Sequence, residues 1–338
     1  MPRVALVATS YPASSLDGAG CFVRAEALAR RDEGYDCHVI VPGPACADPG
    51  LTVYDAGGSA AFGWPGAVGR IRQRPWRAGP GLAFVASASR TLRRLAPDRI
   101  DAHWWLPSAW PIAESCRSAH LVAIAHGADV RLLCRLPCAA RESAVRRLLA
   151  RGAELRFVAA ALRDQLLERL PSDLARAALR ASFIEPCCLF NVEPRSRPDS
   201  LRAELGLASA AHVFIVGGRL IAEKRIDLAL DLVAARPASV LLVAGDGPER
   251  KRLRPSPPRT RWLGHLARPR FLEVLAGCDA LLHPSDVDAA PTVVREARRL
   301  GVPVASRGAG DVGAWAERDP GIAVAGRLED ALAELGLA

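Results

Sequence analysis

Short apolar runs alternate with amphipathic stretches along the whole of this chain, and that alternation limits the fold more than any other feature of the sequence. Runs too short for buried helices read as strands near residues 4–8, 38–41, 99–102, 121–125 and 155–158, and again near 212–217, 240–244, 280–283, 302–305 and 322–324. Between them, apolar residues recur at helical spacing near 22–31, 82–95, 108–117, 143–151 and 161–170, then near 226–235, 270–276, 292–300 and 328–335. Strands separated by helices pair in parallel and bury both faces, so the pattern predicts helix-covered parallel sheets.

The chain has 338 residues, about two domains' worth. The polar, proline-bearing stretch 191–200 has no period and reads as a linker, leaving domains 1–190 and 201–338. Each reads as an α/β, Rossmann-like doubly wound domain, and two such domains facing each other place a ligand cleft at the carboxyl ends of the strands. Residues 57–80, rich in Gly, Trp, Arg and Pro, read as a long excursion of the first domain.

Net charge is +9, yet only Lys224 and Lys251 are lysines among 45 cations, so the arginine excess resembles a composition bias. Charge alone discriminates weakly between nucleic acid, a membrane surface and an anionic small molecule. No helix-turn-helix, zinc-finger or aromatic RNA-binding signature supports nucleic acid. Trp64, Trp76, Trp104, Trp105 and Trp110, and near the first two Arg70, Arg72, Arg74 and Arg77, read first as packing and as a solvated basic loop; contact with anionic lipid stays open. Nine cysteines, an odd number without a Cys-x-x-Cys pair, fit reduced thiols in a cytoplasm. His120, His126, Cys134 and Cys138 lack the spacing of a zinc site, and no metal is expected. The apolar run 4–8 reads as too short for a secretory signal and no apolar run is long enough to span a bilayer, so the expected location is cytoplasmic, at most peripheral at the inner face of a membrane.

A P-loop is excluded because neither lysine follows a glycine. Gly308-Ala309-Gly310-Asp311-Val312-Gly313 has the letters of a dinucleotide fingerprint, but Asp311 falls where a pyrophosphate approaches, and Glu329 and Asp330 begin a helix instead of ending a strand. A more informative segment runs Val216-Gly217-Gly218-Arg219 to Lys224, a strand entering a glycine turn before a helix. Two cations at that edge suit a diphosphate, the guanidinium as a fork and the ammonium as a point charge. Farther on, a strand ends at His283, a loop carries Asp288, and Pro291-Thr292 opens a helix bearing Glu296. Carboxylates so spaced suit hydroxyls on two rings of one ligand, while first-turn amides face its phosphates. Taken singly, Asp288 reads equally as a cap and Glu296 as a solvent-facing side chain.

In order and spacing, Gly218-Arg219-Leu220 with Glu223-Lys224, then Gly245-Asp246-Gly247-Pro248-Glu249, Leu263-Gly264, and Pro284-Ser285 with Asp288 and Glu296, resemble the retaining glycosyltransferases of family 4, within glycosyl transferases group 1. Asp17-Gly18-Ala19-Gly20, His103-Trp104-Trp105 and His126-Gly127-Ala128-Asp129 extend the resemblance over nearly the whole chain. It implies the GT-B architecture and metal-free transfer of a sugar, with retention, from a UDP- or GDP-sugar to a saccharide, lipid-linked or metabolite acceptor, with no cofactor beyond the donor. By position, Arg219 and Lys224 would hold the diphosphate and Glu296 the ribose. Asp288 would meet the donor sugar, and Gly264, His265 and Leu266 the base. Gly218, with Thr292 and Val293 at the helix start, would lie along the donor. His126 would lie at the reacting face, and Gly18 and Gly20 would admit phosphate or acceptor.

The sequence departs from the pattern where Asp288-Ala289-Ala290-Pro291 replaces a Glu-Gly-Phe context, and where a single helix follows the last strand. Those departures keep two alternatives in view: a degenerate nucleotide-sugar-binding protein, and a GT-B-fold UDP-sugar epimerase or hydrolase.

Overall fold

The computed structural model describes residues 1–63, 67–190, 192–193, 199–207 and 212–337. Trp64 and most of the 191–200 stretch therefore lie outside the described residues. The chain divides into two compact units, Met1–Phe190 and Asn191–Ala338.

The first unit holds seven parallel strands: β1 (Arg3–Val7), β2 (Asp36–Val41), β3 (Leu51–Asp55), β4 (Arg99–His103), β5 (His120–Ala125), β6 (Glu154–Phe157) and β7 (Ser182–Ile184), ordered β3-β2-β1-β4-β5-β6-β7. Its central strands are almost fully buried because helices cover both faces, as the near-continuous apolar runs required. The second unit holds β8 (His212–Gly217), β9 (Ser239–Ala244), β10 (Thr260–Gly264), β11 (Ala280–His283), β12 (Val304–Ser306) and β13 (Ile322–Val324), ordered β10-β9-β8-β11-β12-β13. Both sheets reverse their winding beside their first strand, between β1 and β4 and between β8 and β11. In open parallel sheets, ligands bind outside the carboxyl ends of the strands at this reversal.

Three strands escape the apolar pattern, β3, β7 and β10. β3 and β10 are sheet edges and β7 is a three-residue edge, and all three are half-exposed, which removes the signal of a doubly buried strand. The expected helix 108–117 is absent. Short turns at Trp105–Ala109 and Ile112–Ser115 replace it, because Pro107 and Pro111 supply no amide hydrogen to a helical ladder. Helices Ala128–Arg135, Ser172–Arg180 and Val312–Ala316 are additional to the expected set. The 57–80 excursion contains a helix, Ala67–Gln73, and the start of Ala78–Leu95.

Candidate functional site

At the winding reversal of the second sheet, the loops leaving β8 and β11 are tied together. Asp286 donates its amide to the Glu223 carbonyl at 2.9 Å, and Arg225 bridges Asp227 and Asp286. Arg307, just past β12, also pairs with Asp286. Within this frame the Lys224 ammonium donates to Oδ2 of Asp288, bringing together two residues 64 positions apart. Arg219 lies exposed in the same β8 loop, beside exposed Gly218, whose amide donates to the Ala244 carbonyl at 2.9 Å.

His283 extends the cluster inward. It ends β11, is 3% exposed, contacts Ser306 Oγ through Nδ1 at 2.9 Å and meets Asp288 Oδ2 through Nε2 at 3.2 Å. Burial alone would raise the Asp288 carboxyl, but His283 and Lys224 together hold it well below the usual carboxylate range. Asp288 is therefore an anion fixed between two donors. The fingerprint-like glycine loop supports it from below: Gly310 has φ +67°, and a β-carbon there would sit 2.1 Å from the Ala289 carbonyl oxygen and 2.9 Å from that of Asp288. Its glycines serve close packing against the acidic loop.

The helix Thr292–Arg299 starts beside Asp288, so the amides of Thr292 and Val293 fall in a first turn that has no intrahelical acceptors. Glu296 lies one turn on, but it does not face solvent. It is 3% exposed, and its Oε1 accepts from Arg268 Nη1 at 2.9 Å. Burial pushes its carboxyl up, with Arg268 opposing. Of the base-contacting pair expected on the loop after β10, His265 is exposed and Leu266 half-buried. His283, Ser306 and Arg268 escaped the sequence reading as site members. For His283 a signal existed, since a polar residue closing an apolar strand at the reversal point is out of place in a core.

In the first unit, the loop after β1 carries Gly18 and Gly20. Gly20 opens the helix Cys21–Asp32 at φ +67°, and a β-carbon there would strike the Ser10 backbone at 2.6 Å, so its requirement is internal to the loop. A β-carbon on Gly18 would meet nothing within 4 Å. His126 follows β5. Its Nε2 is 3.1 Å from Nδ1 of His103, its Nδ1 is 3.7 Å from the Cys187 thiol, and its ring packs against Trp104 and Phe22. Burial pushes His103 down to about 4 and His126 well below the usual histidine value, so the pair is neutral at physiological pH. Asp129 fixes the loop by accepting the amides of His126, Gly127, Val130 and Trp105 at 2.9–3.1 Å.

Beneath lies a buried ion pair, Arg156 with Glu26, both nitrogens at 2.6 Å. The four residues weighed for zinc do not meet: His120 faces Glu154, His126 faces His103, and no group among the described residues is placed to hold a metal ion. All nine cysteines are free thiols, and no helix among the described residues is long and apolar enough to cross a membrane.

Residues 199–335 match the family model of the glycosyl transferases group 1. The chain is 24% identical to a Bacillus subtilis protein named as the teichuronic acid biosynthesis glycosyltransferase TuaC, over 98% of this chain and 87% of that one. It is 29% identical to a GDP-mannose-dependent alpha-mannosyltransferase of Corynebacterium glutamicum, over 35% of this chain and 28% of that one. Among solved structures, sucrose-phosphate synthase of Thermosynechococcus elongatus superposes with a TM-score of 0.71 at 17% identity, over 99% of this chain and 89% of that one. Anabaena HepE in complex with UDP and glucose superposes with a TM-score of 0.68 at 18% identity, with the same coverages. The two Rossmann-like domains are those of the GT-B fold.

Proposed function

We propose that the chain, whose residues 199–335 match the family model of the glycosyl transferases group 1, is a retaining glycosyltransferase that uses a nucleoside-diphosphate sugar. The observation that carries the reading is the pair Arg219 and Lys224 on the loop leaving β8, at the reversal of the second sheet and beside the first turn of Thr292–Arg299. A diphosphate there would meet a guanidinium fork, an ammonium and helix-start amides. The Lys224 ammonium has three hydrogens, so it can hold Asp288 and a phosphate oxygen together.

In the proposed reaction the bond from the donor's anomeric carbon to its phosphate oxygen breaks, and an acceptor hydroxyl oxygen bonds to that carbon on the same face. The acceptor proton passes to the departing phosphate oxygen. The diphosphate's growing negative charge is what Arg219 and Lys224 stabilise, so the step needs no metal ion. Asp288, already anionic, accepts from donor-sugar hydroxyls; Glu296, held in place by Arg268, accepts from the ribose. His126, being neutral and backed by the buried His103, would meet the reacting sugar by hydrogen bonding instead of charge. The names of relatives, a GDP-mannose-dependent mannosyltransferase and a teichuronic acid enzyme, support a hexosyl donor such as a GDP-sugar and a role in polysaccharide assembly.

The test is nucleoside diphosphate release by the purified chain from UDP-, GDP- and ADP-sugars, with and without saccharide and lipid-linked acceptors, with the product anomer read by NMR. Acceptor-dependent release with retained configuration is expected. Turnover without acceptor would redirect the reading to a hydrolase or epimerase, and inversion would overturn the mechanism.

A further inference from the structure

We propose that residues 67–94 of the first domain form a docking surface for an anionic lipid bilayer. The inference is independent of the reaction proposed above. Between Asp55 and Asp98 the sequence contains no acid and seven arginines, so this one stretch accounts for +7 of the chain's net +9. A general arginine bias would spread across the surface, and it would be offset locally by carboxylates. Elsewhere many arginines are so offset, among them Arg24 with Asp48, Arg30 with Asp101 and Arg156 with Glu26. Among the described residues, Arg72, Arg74, Arg77, Arg90, Arg93 and Arg94 enter no ion pair. Arg77 has its pKa pushed down by desolvation and by the neighbouring cations Arg70 and Arg74.

The same segment exposes large apolar side chains. Trp76 is 60% exposed, Leu82 71% and Val68 51%, and the helix Ala67–Gln73 buries none of its residues. The Arg77 guanidinium lies 5.6 Å from the Trp76 ring centre. The helix Ala78–Leu95 buries Phe84, Ala88 and Leu92 on one face, while Leu82, Ala86, Arg90 and Arg93 stand exposed at helical spacing on another. That second face runs from apolar to cationic along one helix.

Cations alone would suit any polyanion. Cations interleaved with an exposed indole, leucine and valine suit a surface that is negatively charged outside and apolar just beneath, which is the profile of an anionic bilayer. Arginine stems also reach across apolar surface while keeping their charge in the headgroup layer.

The experiment is co-sedimentation of the full chain with vesicles of phosphatidylcholine alone or of equal parts phosphatidylcholine and phosphatidylglycerol, at low and physiological salt. Binding to the mixed vesicles at least tenfold above phosphatidylcholine, weakening as salt rises, is the expected result. Arg72→Glu with Arg74→Glu should remove at least tenfold of it. Trp76→Ser should weaken vesicle binding severalfold and leave binding to soluble polyphosphate unchanged. Equal binding to both vesicles, or no loss in the arginine double variant, would overturn the proposal. Vesicle binding insensitive to Trp76→Ser, matched by equally tight polyphosphate binding, would show a general polyanion site instead and would equally overturn it. All three side chains are exposed, and the circular dichroism of each variant verifies its fold.

Discussion

The ammonium of Lys224 is bonded to the carboxylate of Asp288, joining the loops that leave the two central strands of the second sheet. Because the pair joins the residue expected on the diphosphate to the residue expected on the donor sugar, each depends on the other for its position. Lys224→Ala should therefore lower turnover by about 10² to 10³, the cost of removing one group that stabilises developing charge. Asp288→Asn should keep much of the nucleoside diphosphate affinity and lose discrimination among donor sugars. Steady-state kinetics with several sugars on one nucleotide distinguish the two effects.

Asp288 also gives acid stability a defined sign. Its folded carboxyl lies below its ordinary value of about 3.9, so its contribution to stability is complete above that value and is lost as pH falls through the folded value. Wild type should exceed Asp288→Asn in stability from neutral pH down to about 4, and the gap should close below that. Urea unfolding across a pH series measures it. A gap that widens on acidification would contradict the assignment.

The Glu296 and Arg268 pair predicts a pH effect on binding. With Arg268 replaced by Met, only the charge of Arg295 still opposes the burial that already pushes the Glu296 carboxyl up. Nucleoside diphosphate affinity should fall about tenfold or more near neutral pH, roughly the 1.4 kcal/mol scale of a pKa unit, and recover as pH rises and Glu296 ionises. Arg268→Lys should restore part of it. Calorimetric titration of UDP or GDP between pH 6 and pH 9 would show whether the affinity has become pH-dependent.

In the first domain, Glu26 is 3% exposed and grips Arg156 with two 2.6 Å bonds. Arg156→Met alone should cost about 3–5 kcal/mol by leaving the buried Glu26 charge unmatched, Glu26→Gln should cost less because Arg156 keeps Glu185 at 2.9 Å, and Glu26→Leu with Arg156→Met should cost clearly less than the sum. Denaturation midpoints of the three variants give the comparison.

Gly310→Ala should destabilise the second domain and impair the site together, because the added methyl group must displace the Ala289 carbonyl that precedes the helix Thr292–Arg299. Gly18→Ala, which meets nothing within 4 Å, should leave stability unchanged. A thermal unfolding comparison tests both.

Much of this architecture was legible because parallel strands buried on both faces leave unbroken apolar runs such as Val4 to Val7 and His212 to Gly217. Edge strands like Thr260–Gly264 leave no such run, being half-exposed, and Pro107 and Pro111 break a stretch whose apolar spacing is helical. Arg219 and Lys224 could be singled out because a strand, a glycine turn and a helix are visible in local sequence. The partners of the site residues were not, since Lys224 meets Asp288 only through the β8–β11 neighbour relation, and Glu296 is enclosed by an arginine from a separate helix. The run of arginines without a nearby acid stood in the sequence, but that Arg72, Arg74, Arg77, Arg90, Arg93 and Arg94 enter no ion pair among the described residues did not. Composition counts arginines, but only the fold reveals which have carboxylates beside them.

The central claim is that the loop bearing Arg219 and Lys224 binds the donor's diphosphate. It is tested most directly by calorimetric titration of UDP, GDP and ADP into wild type and Lys224→Ala. The account predicts that at least one of the three binds wild type and binds the variant at least tenfold more weakly. Absence of binding for all three, or equal affinity in the two proteins, would contradict it.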